Sequence, residues 1–312
     1  MTAPGKRLPT PFSGVLVVDK PQGPTSHDVV AEARRALGIR RVGHTGTLDP
    51  LATGVLALVI GQATRLAQFL TGGTKGYEAV VRLGIATDTY DAAGEPVGAP
   101  APDETVLAIT GEEIAAVAGR FIGRFEQTPP PYSAKKIGGV PAYTLARRRV
   151  EVRATPVPVT VHELQVTGRE GARLSLRLET SAGFYVRSLA HDIGRTLRCG
   201  AHLESLRRYR SGPFTLDRAI TLDALRSGGG AALARFVPLE DLLPELPVFE
   251  LSEAGTRRAC HGNALGPSDG RSREGMIAPE GALSRLFSAD GRLVALARTT
   301  PGGSLQPVVV LS

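Results

Sequence analysis

Six consecutive apolar residues, Val55–Ile60 (VLALVI), follow directly on the glycine-rich stretch Gly43–Gly54 (GHTGTLDPLATG). A continuous apolar run of this kind bounded by turn residues reads as a strand covered on both faces, so the fold must supply a layer on either side of it. The preceding stretch holds three glycines, one histidine (His44) and one carboxylate (Asp49). Glycine permits backbone angles that other residues resist, and Pro50 pushes Asp49 out of the helical region. The outcome is a single carboxylate on a shaped loop beside a buried strand. A catalytic acid fits that description, and so does an elaborate turn.

At 312 residues the chain is long enough for about two domains. Its net charge of +7 makes an anionic partner plausible, nucleic acid first. Only five of the 37 cationic side chains are lysines (Lys6, Lys20, Lys75, Lys135, Lys136), and the rest are arginines, whose planar fork suits phosphate and stacks on bases. A GC-rich genome accounts for the same bias. Two cysteines, Cys199 and Cys260, are too few for a disulfide framework and point to the reducing cytosol. Lys6 and Arg7 are not followed by the apolar segment of a signal peptide. No stretch approaches the ~18 apolar residues of a membrane span. The expectation is a soluble cytoplasmic protein.

Along the chain, residues 1–12 read as a loose arm. Gly14–Asp19 is a strand, and Lys20 stands at its end before a Pro-Gln-Gly-Pro turn. Thr25 or Ser26 caps a helix over His27–Leu37 whose apolar face is Val29, Val30, Ala33 and Leu37. Tyr77–Leu83 alternates as a strand with one buried face. Asp88 and Asp91 sit in a turn-rich stretch that reads as a hairpin loop, since regular oxygen ligands for a metal are lacking. Residues 96–106 read as a connector, and a helix runs from Thr110 to about Ala118. Residues 127–149 combine the run Pro129–Pro131, Tyr132, Lys135, Lys136 and Arg147–Arg149. They read as a protrusion that clamps a phosphate backbone, although a solvated charge run fits equally. Val150–Arg153, Val157–Val166 and Arg173–Thr180 read as strands. Val186–Leu197 is an amphipathic helix with Arg187 at its start, where the helix dipole disfavours a cation. Ala201–Arg208 reads as a second short helix. Pro244–Pro247 is the best boundary. Beyond it come a helix near Ser252–Cys260, a hairpin across Asp290-Gly291 and a last strand at Pro307–Leu311, a small module that is mostly β. The six histidines are scattered and no Cys-x-x-Cys occurs, so no metal site is expected.

The residues alone thus offer Asp49 on a constrained loop, Tyr77 beginning a strand and Arg187 beginning a helix. No phosphate-binding or dinucleotide fingerprint is present. An arginine partner stabilises the charged form of a carboxylate, which suits nucleophilic or base chemistry on a bound ring. A carboxylate glycosidase needs a second acid, and none stands out. This describes a basic α/β protein associated with RNA.

Gly43–Gly54 closely resembles the catalytic motif of the TruB family, the bacterial tRNA pseudouridine-55 synthases. Further matches follow in order over residues 14–214. They are Asp-Lys-Pro at 19–21, Lys-x-Tyr-Glu at 75–78, Thr-Asp-Thr-x-Asp-x-x-Gly at 87–94, and Pro-Pro-x-Tyr-Ser-Ala-x-Lys at 129–136. Then come Tyr-x-Arg-Ser at 185–188 and Gly-Ala-His-Leu with Leu-Arg-Arg at 200–208. Thr47 departs from the family's frequent alanine. The resemblance implies an α+β fold: a pseudouridine-synthase domain over 13–246 with a mixed, mainly antiparallel sheet, followed by a β-rich PUA-like RNA-binding domain over 247–312. It implies isomerisation of uridine to pseudouridine at position 55 in the T loop of tRNA, by base flipping and an Asp49-dependent exchange of the glycosidic bond. Tyr77 would stack on the flipped base and Arg187 would pair with Asp49. His44 would hold the RNA loop, Tyr185 and Leu206 would line the pocket, and Lys20 would support it. Lys135, Lys136, Arg147, Arg148, Arg207 and Arg208 are candidates for the RNA backbone. No cofactor, metal or obligatory protein partner is implied, and a monomer is expected. A guide-RNA-dependent synthase would call for partner-binding extensions, and none stands out.

Overall fold

The structure, a computed structural model, describes residues 12–132, 136–137, 140–141, 155–227, 234–275 and 278–311. Lys135, Arg147, Arg148 and the strand expected at Val150–Arg153 lie outside the described residues, as does nearly all of the arm. Lys136 is described only as backbone, in a two-residue strand pairing with Val140–Pro141.

The fold is α+β. The strand elements that carry the site are β1 (Gly14–Lys20), β2 (Val42–His44), β3 (Ala52–Ile60), β4 (Lys75–Leu83), β5 (Gly123–Gln127), β6 (Val157–Glu170), β7 (Arg173–Thr180), β8 (Ala201–Ser211) and β9 (Ile220–Thr221). Together with two further short segments they make an 11-stranded sheet among the described residues, whose main path runs β9-β1-β3-β8-β4-β7-β6-β5 with β2 paired to β3 beside it. Only the β1–β9 and β3–β8 pairs are parallel; the other pairs are antiparallel.

The apolar run of β3 behaves as its sequence demands. Leu56, Leu58 and Ile60 face helix α1 (Ser26–Leu37) and pack with its Val29, Val30, Ala33 and Leu37. Val55, Ala57 and Val59 face the other way, into a cluster shared with Leu293, Leu296, Val309 and Leu311 from the end of the chain. All but Leu311, which directly follows the last strand, belong to a separate five-stranded sheet built from Val248–Leu251, Gly270–Ser272, Leu283–Phe287, Leu293–Thr299 and Leu305–Val310. On the far half of the main sheet, Tyr77, Ala79, Val81 and Leu83 pack with Leu174, Leu176, Leu178 and the helix α2 (Val186–Thr196). The opposite face of β4 is the more exposed one, and there Glu78 pairs with Arg177 of β7 at 2.8 Å.

Three expectations are corrected. Ala201–Arg208 is not a helix but the greater part of the 11-residue strand β8, between β3 and β4. Its helix-forming Leu, Glu and Arg residues yield to sheet pairing on both edges, a case of tertiary context overriding local propensity. The connector at 96–106 contains a helix, Asp103–Ala108, which buries Val106. Phe12, at the end of the expected loose arm, stacks on Phe236 with ring centroids 3.8 Å apart.

The parallel contact between β3 and β8 is short, with Leu206 opposite Ala52, Arg207 opposite Thr53 and Arg208 opposite Gly54. Gly54 has φ of +100°, and a Cβ there would lie 2.2 Å from the Arg208 carbonyl oxygen. Gly54→Ala is therefore expected to cost about 3 kcal/mol or more through backbone strain and displacement. Urea unfolding of the two proteins measures this, and a change within about 0.5 kcal/mol, the usual range for a harmless surface substitution, would show that the seam has slack.

Candidate active site

The loop that bears Asp49 is set by its neighbours on either side. Thr25, with Asp28 as reciprocal partner, caps α1, which leaves Ser26 free of capping duty. The Ser26 hydroxyl instead accepts from the Leu48 amide at 2.8 Å and donates to the Leu48 carbonyl at 3.0 Å. Both groups are buried, so the exchange satisfies two backbone atoms that water does not reach. The Leu48 side chain enters the core against α1, and the next residue, Asp49, is thereby turned outward. The Asp49 amide segment closes as a turn, its carbonyl accepting from Ala52 at 3.0 Å. Its carboxylate is the partly exposed member of the site, with 39% of the side chain accessible.

Arg187 meets it from α2, with Nε donating to Asp49 Oδ2 at 2.9 Å. The rest of the guanidinium is spoken for: Nη1 donates to the Thr89 carbonyl at 3.2 Å and lies 3.5 Å from Asp91 Oδ2, and Nη2 donates to the Tyr132 carbonyl at 2.9 Å. Asp91 is buried and its other oxygen accepts from Thr89 Oγ1 at 2.7 Å and the Ala93 amide at 3.0 Å. The loop read as a plain hairpin therefore supplies the second carboxylate of the site. A cation at the start of a helix, disfavoured by the dipole, is explained by these two carboxylates.

Asp49, Tyr77, Tyr185, Arg187 and Leu206 line one cavity of about 230 Å³, together with Lys75 and Arg208. Tyr77 and Leu206 come from adjacent strands, β4 and β8, with Leu206 registered against Ala79 and Arg208 against Tyr77. The Tyr185 backbone is held by Gln127 of β5, whose amide donates to the Tyr185 carbonyl at 3.0 Å and accepts from the Tyr185 amide at 2.8 Å. Ser26, Asp91 and Gln127 were not distinguished by the sequence reading. Asp91 alone left a signal there, as the second aspartate of Thr87–Gly94.

Lys20 is fully buried and donates to the carbonyls of Pro21 and Pro24 at 2.9 and 2.8 Å. Burial lowers its pKa to about 8, against the opposing pull of Asp49. His44 lies beside the same loop. Its Nδ1 accepts from the Gly46 amide at 3.3 Å and its ring stands edge-on to His27. Burial holds its pKa below the ordinary histidine value, favouring the neutral ring.

The cations proposed for the RNA backbone divide. Arg207 is partly exposed and engages Asp19 with both nitrogens, at 3.1 and 2.8 Å. Arg208 is corrected: it is only 2% exposed and cannot reach a phosphate. Its guanidinium donates to the carbonyls of Val55 at 2.8 Å, Gly46 at 3.0 Å and Thr47 at 3.4 Å, and it hydrogen-bonds the Tyr77 side chain. Alternation along β8 turns the two arginines to opposite faces. Among the described residues no cluster of side chains suits a metal ion, and no helix is long and apolar enough to cross a membrane.

The displaced pKa of Lys20 has a stability consequence. Below pH 8 the folded chain carries a buried ammonium at full cost, while the unfolded chain keeps its proton up to the ordinary value of 10.5. Between those values the unfolded state binds more protons, so this group makes stability rise with pH. Lys20→Met removes that term. Relative to the variant, the wild type should gain stability between pH 8 and 10.5, which urea unfolding at pH 7.5 and 10 measures; a difference independent of pH would refute it.

Residues 34–186 match the family described as TruB family pseudouridylate synthase (N terminal domain), and residues 187–243 match the tRNA pseudouridylate synthase B C-terminal domain. The chain is 43% identical over 304 residues to tRNA pseudouridine synthase B of Solibacter usitatus, covering 96% of this chain and 100% of that one. It is 44% identical over 310 residues to that of Thermobifida fusca, covering 96% and 98%. Among solved structures it is similar to that of a Cbf5-Nop10-Gar1 complex, with a TM-score of 0.70, 26% identity and coverage of 99% and 92%. It is also similar to that of an H/ACA RNP bound to a substrate RNA containing 2′-deoxyuridine, with a TM-score of 0.69, 26% identity and coverage of 96% and 85%. Matched over nearly its whole length by relatives of this kind, the chain belongs to the TruB family of pseudouridylate synthases.

Proposed function

We propose that this protein isomerises uridine to pseudouridine at position 55 in the T loop of tRNA, with Asp49 as the essential carboxylate. The observation that carries the reading is the Asp49–Arg187 contact at 2.9 Å on a cavity that Tyr77 also lines. A uridine inside a folded loop must leave its stack to reach such a cavity, at a cost of a few kcal/mol. Tyr77 and Tyr185 offer aromatic faces and Leu206 an apolar wall against which an extruded base regains that energy. Arg187, fixed by two carbonyls and two carboxylates, orients Asp49 toward the sugar. His44, neutral on the loop next to Asp49, and Lys20, beneath it, support the RNA loop and the carboxylate. Tyr77 receives the stacked base and assists removal of the proton from C5.

The unit from 13 to 246 acts as the catalytic domain. The sheet-rich part from 247 to 312 is a PUA-like module that extends the RNA contact, and residues 127–149 close over the substrate. Lys135, Lys136, Arg147, Arg148 and Arg207 supply phosphate contacts. The protein acts as a monomer in the cytoplasm without an obligatory protein partner. The neighbours in assemblies with other proteins share 26% identity with it, whereas the relatives named tRNA pseudouridine synthase B share 43% and 44%.

The test is to incubate the protein with unmodified tRNA and map pseudouridine by chemical sequencing. One product in the T loop is expected, and a product elsewhere would redirect the substrate assignment. Asp49→Asn should abolish the product and leave RNA affinity nearly unchanged, because the amide keeps the shape of the carboxylate. Turnover near that of wild type would remove Asp49 from the chemistry.

A further inference from the structure

Four cationic side chains are buried around the cavity: Lys20, Lys75, Arg187 and Arg208, none more than 7% exposed. Two carboxylates, Asp49 and Asp91, stand against them, and both are engaged by Arg187. Arg208 donates to three backbone carbonyls and Lys20 to two. Lys75 differs. Its Nζ donates to the Thr71 carbonyl at 3.1 Å, an ammonium has three N–H bonds, and no other acceptor for it occurs among the described residues. It stands two residues before Tyr77 on β4, so the two side chains leave the same face of the strand, and both line the cavity.

A second observation points the same way. Thr45 also lines the cavity, is 1% exposed, and its hydroxyl has no hydrogen-bond partner among the described residues. Buried cations and hydroxyls without sufficient partners are costly, and well-packed apolar residues commonly replace them without loss. The fold alone therefore has no use for an ammonium at 75. The cavity holds more positive than negative charge and unmet hydrogen-bond donors, which suits a guest that becomes anionic.

We propose that Lys75 is a further catalytic residue, donating hydrogen bonds to the negative charge that develops on the uracil ring as its bond to ribose breaks. This rests on the function proposed above. The C1′–N1 bond breaks with its electron pair on the ring, which then carries one negative charge spread over N1, O2 and O4. At the sugar the Asp49 carboxylate makes good the lost pair, by bonding C1′ or by taking the adjacent C2′ proton so that a C1′–C2′ double bond forms. The ring turns, C5 bonds C1′ with the ring's electrons, and the step at Asp49 reverses. The proton lost from C5 balances the one gained by N1. Lys75 donates hydrogen bonds throughout and transfers no proton. A cation fixed before the reaction in a water-poor cavity stabilises such charge far better than water does. Burial brings Lys75 to about 8, which leaves it mainly an ammonium at neutral pH.

The experiment uses the full chain carrying Lys75→Met and a T-arm RNA with either uridine or 4-thiouridine at the target position. The 4-thiouracil anion is intrinsically the more stable of the two. For uridine, the single-turnover rate should fall on the order of 100-fold, with RNA affinity nearly unchanged and a melting temperature equal to or above that of wild type. With 4-thiouridine the deficit should shrink severalfold. A wild-type rate, or the same deficit for both rings, overturns the proposal. If the methionine variant does not fold, Lys75→Gln carries the same comparison. Asp49→Asn separates the two readings. Retained turnover in Asp49→Asn sinks the assigned site itself, whereas an inactive Asp49→Asn beside a fully active Lys75→Met sinks only the role of Lys75.

Discussion

The site depends on a seam of three residue pairs. Where β3 and β8 run parallel, the half of the sheet that carries the Asp49 loop meets the half that carries Tyr77 and, through α2, Arg187. The two halves approach so closely that position 54 has no room for a Cβ. Arg208 crosses this seam and binds carbonyls of Gly46 and Thr47, in the loop just before Asp49, while contacting Tyr77 on its own side. The distance between the carboxylate and the aromatic ring is therefore set by main-chain packing.

Among the described residues the buried Arg208 guanidinium has no carboxylate partner, and its carbonyl contacts explain how it is tolerated. Each N–H that meets a carbonyl recovers part of the desolvation cost, and the low dielectric strengthens those bonds. The same accounting distinguishes the cations around the cavity. Arg208 and Lys20 are structural in this sense, Arg187 divides its donors between carbonyls and the carboxylates, and Lys75 keeps donors in reserve.

Much of this was legible in the sequence, and the reasons for success and failure are physical. The run at Val55–Ile60 announced a strand buried on both faces because apolar continuity leaves no polar face. The Asp49–Arg187 contact came through resemblance, since no local rule links a loop carboxylate to a helix start far along the chain. Ala201–Arg208 misled because leucines three apart with glutamate and arginine also suit a helix, and only two neighbouring strands decide otherwise. The roles of Ser26 and Gln127 could not be read because their partners are backbone atoms, which carry no residue identity. Asp91 and Arg187 were both visible, yet their pairing was not.

That reliance on backbone atoms has an evolutionary consequence. The carbonyls of Pro21, Pro24, Gly46, Thr47, Thr71, Thr89 and Tyr132 all accept from the cations around the cavity. A change of side chain at most of these positions leaves the acceptor in place, so many substitutions are absorbed. Adding or deleting one residue in the same loops shifts the carbonyl itself and disperses the cluster. The architecture is thus permissive toward spelling and strict about length, and drift in its descendants is channelled into composition before loop size.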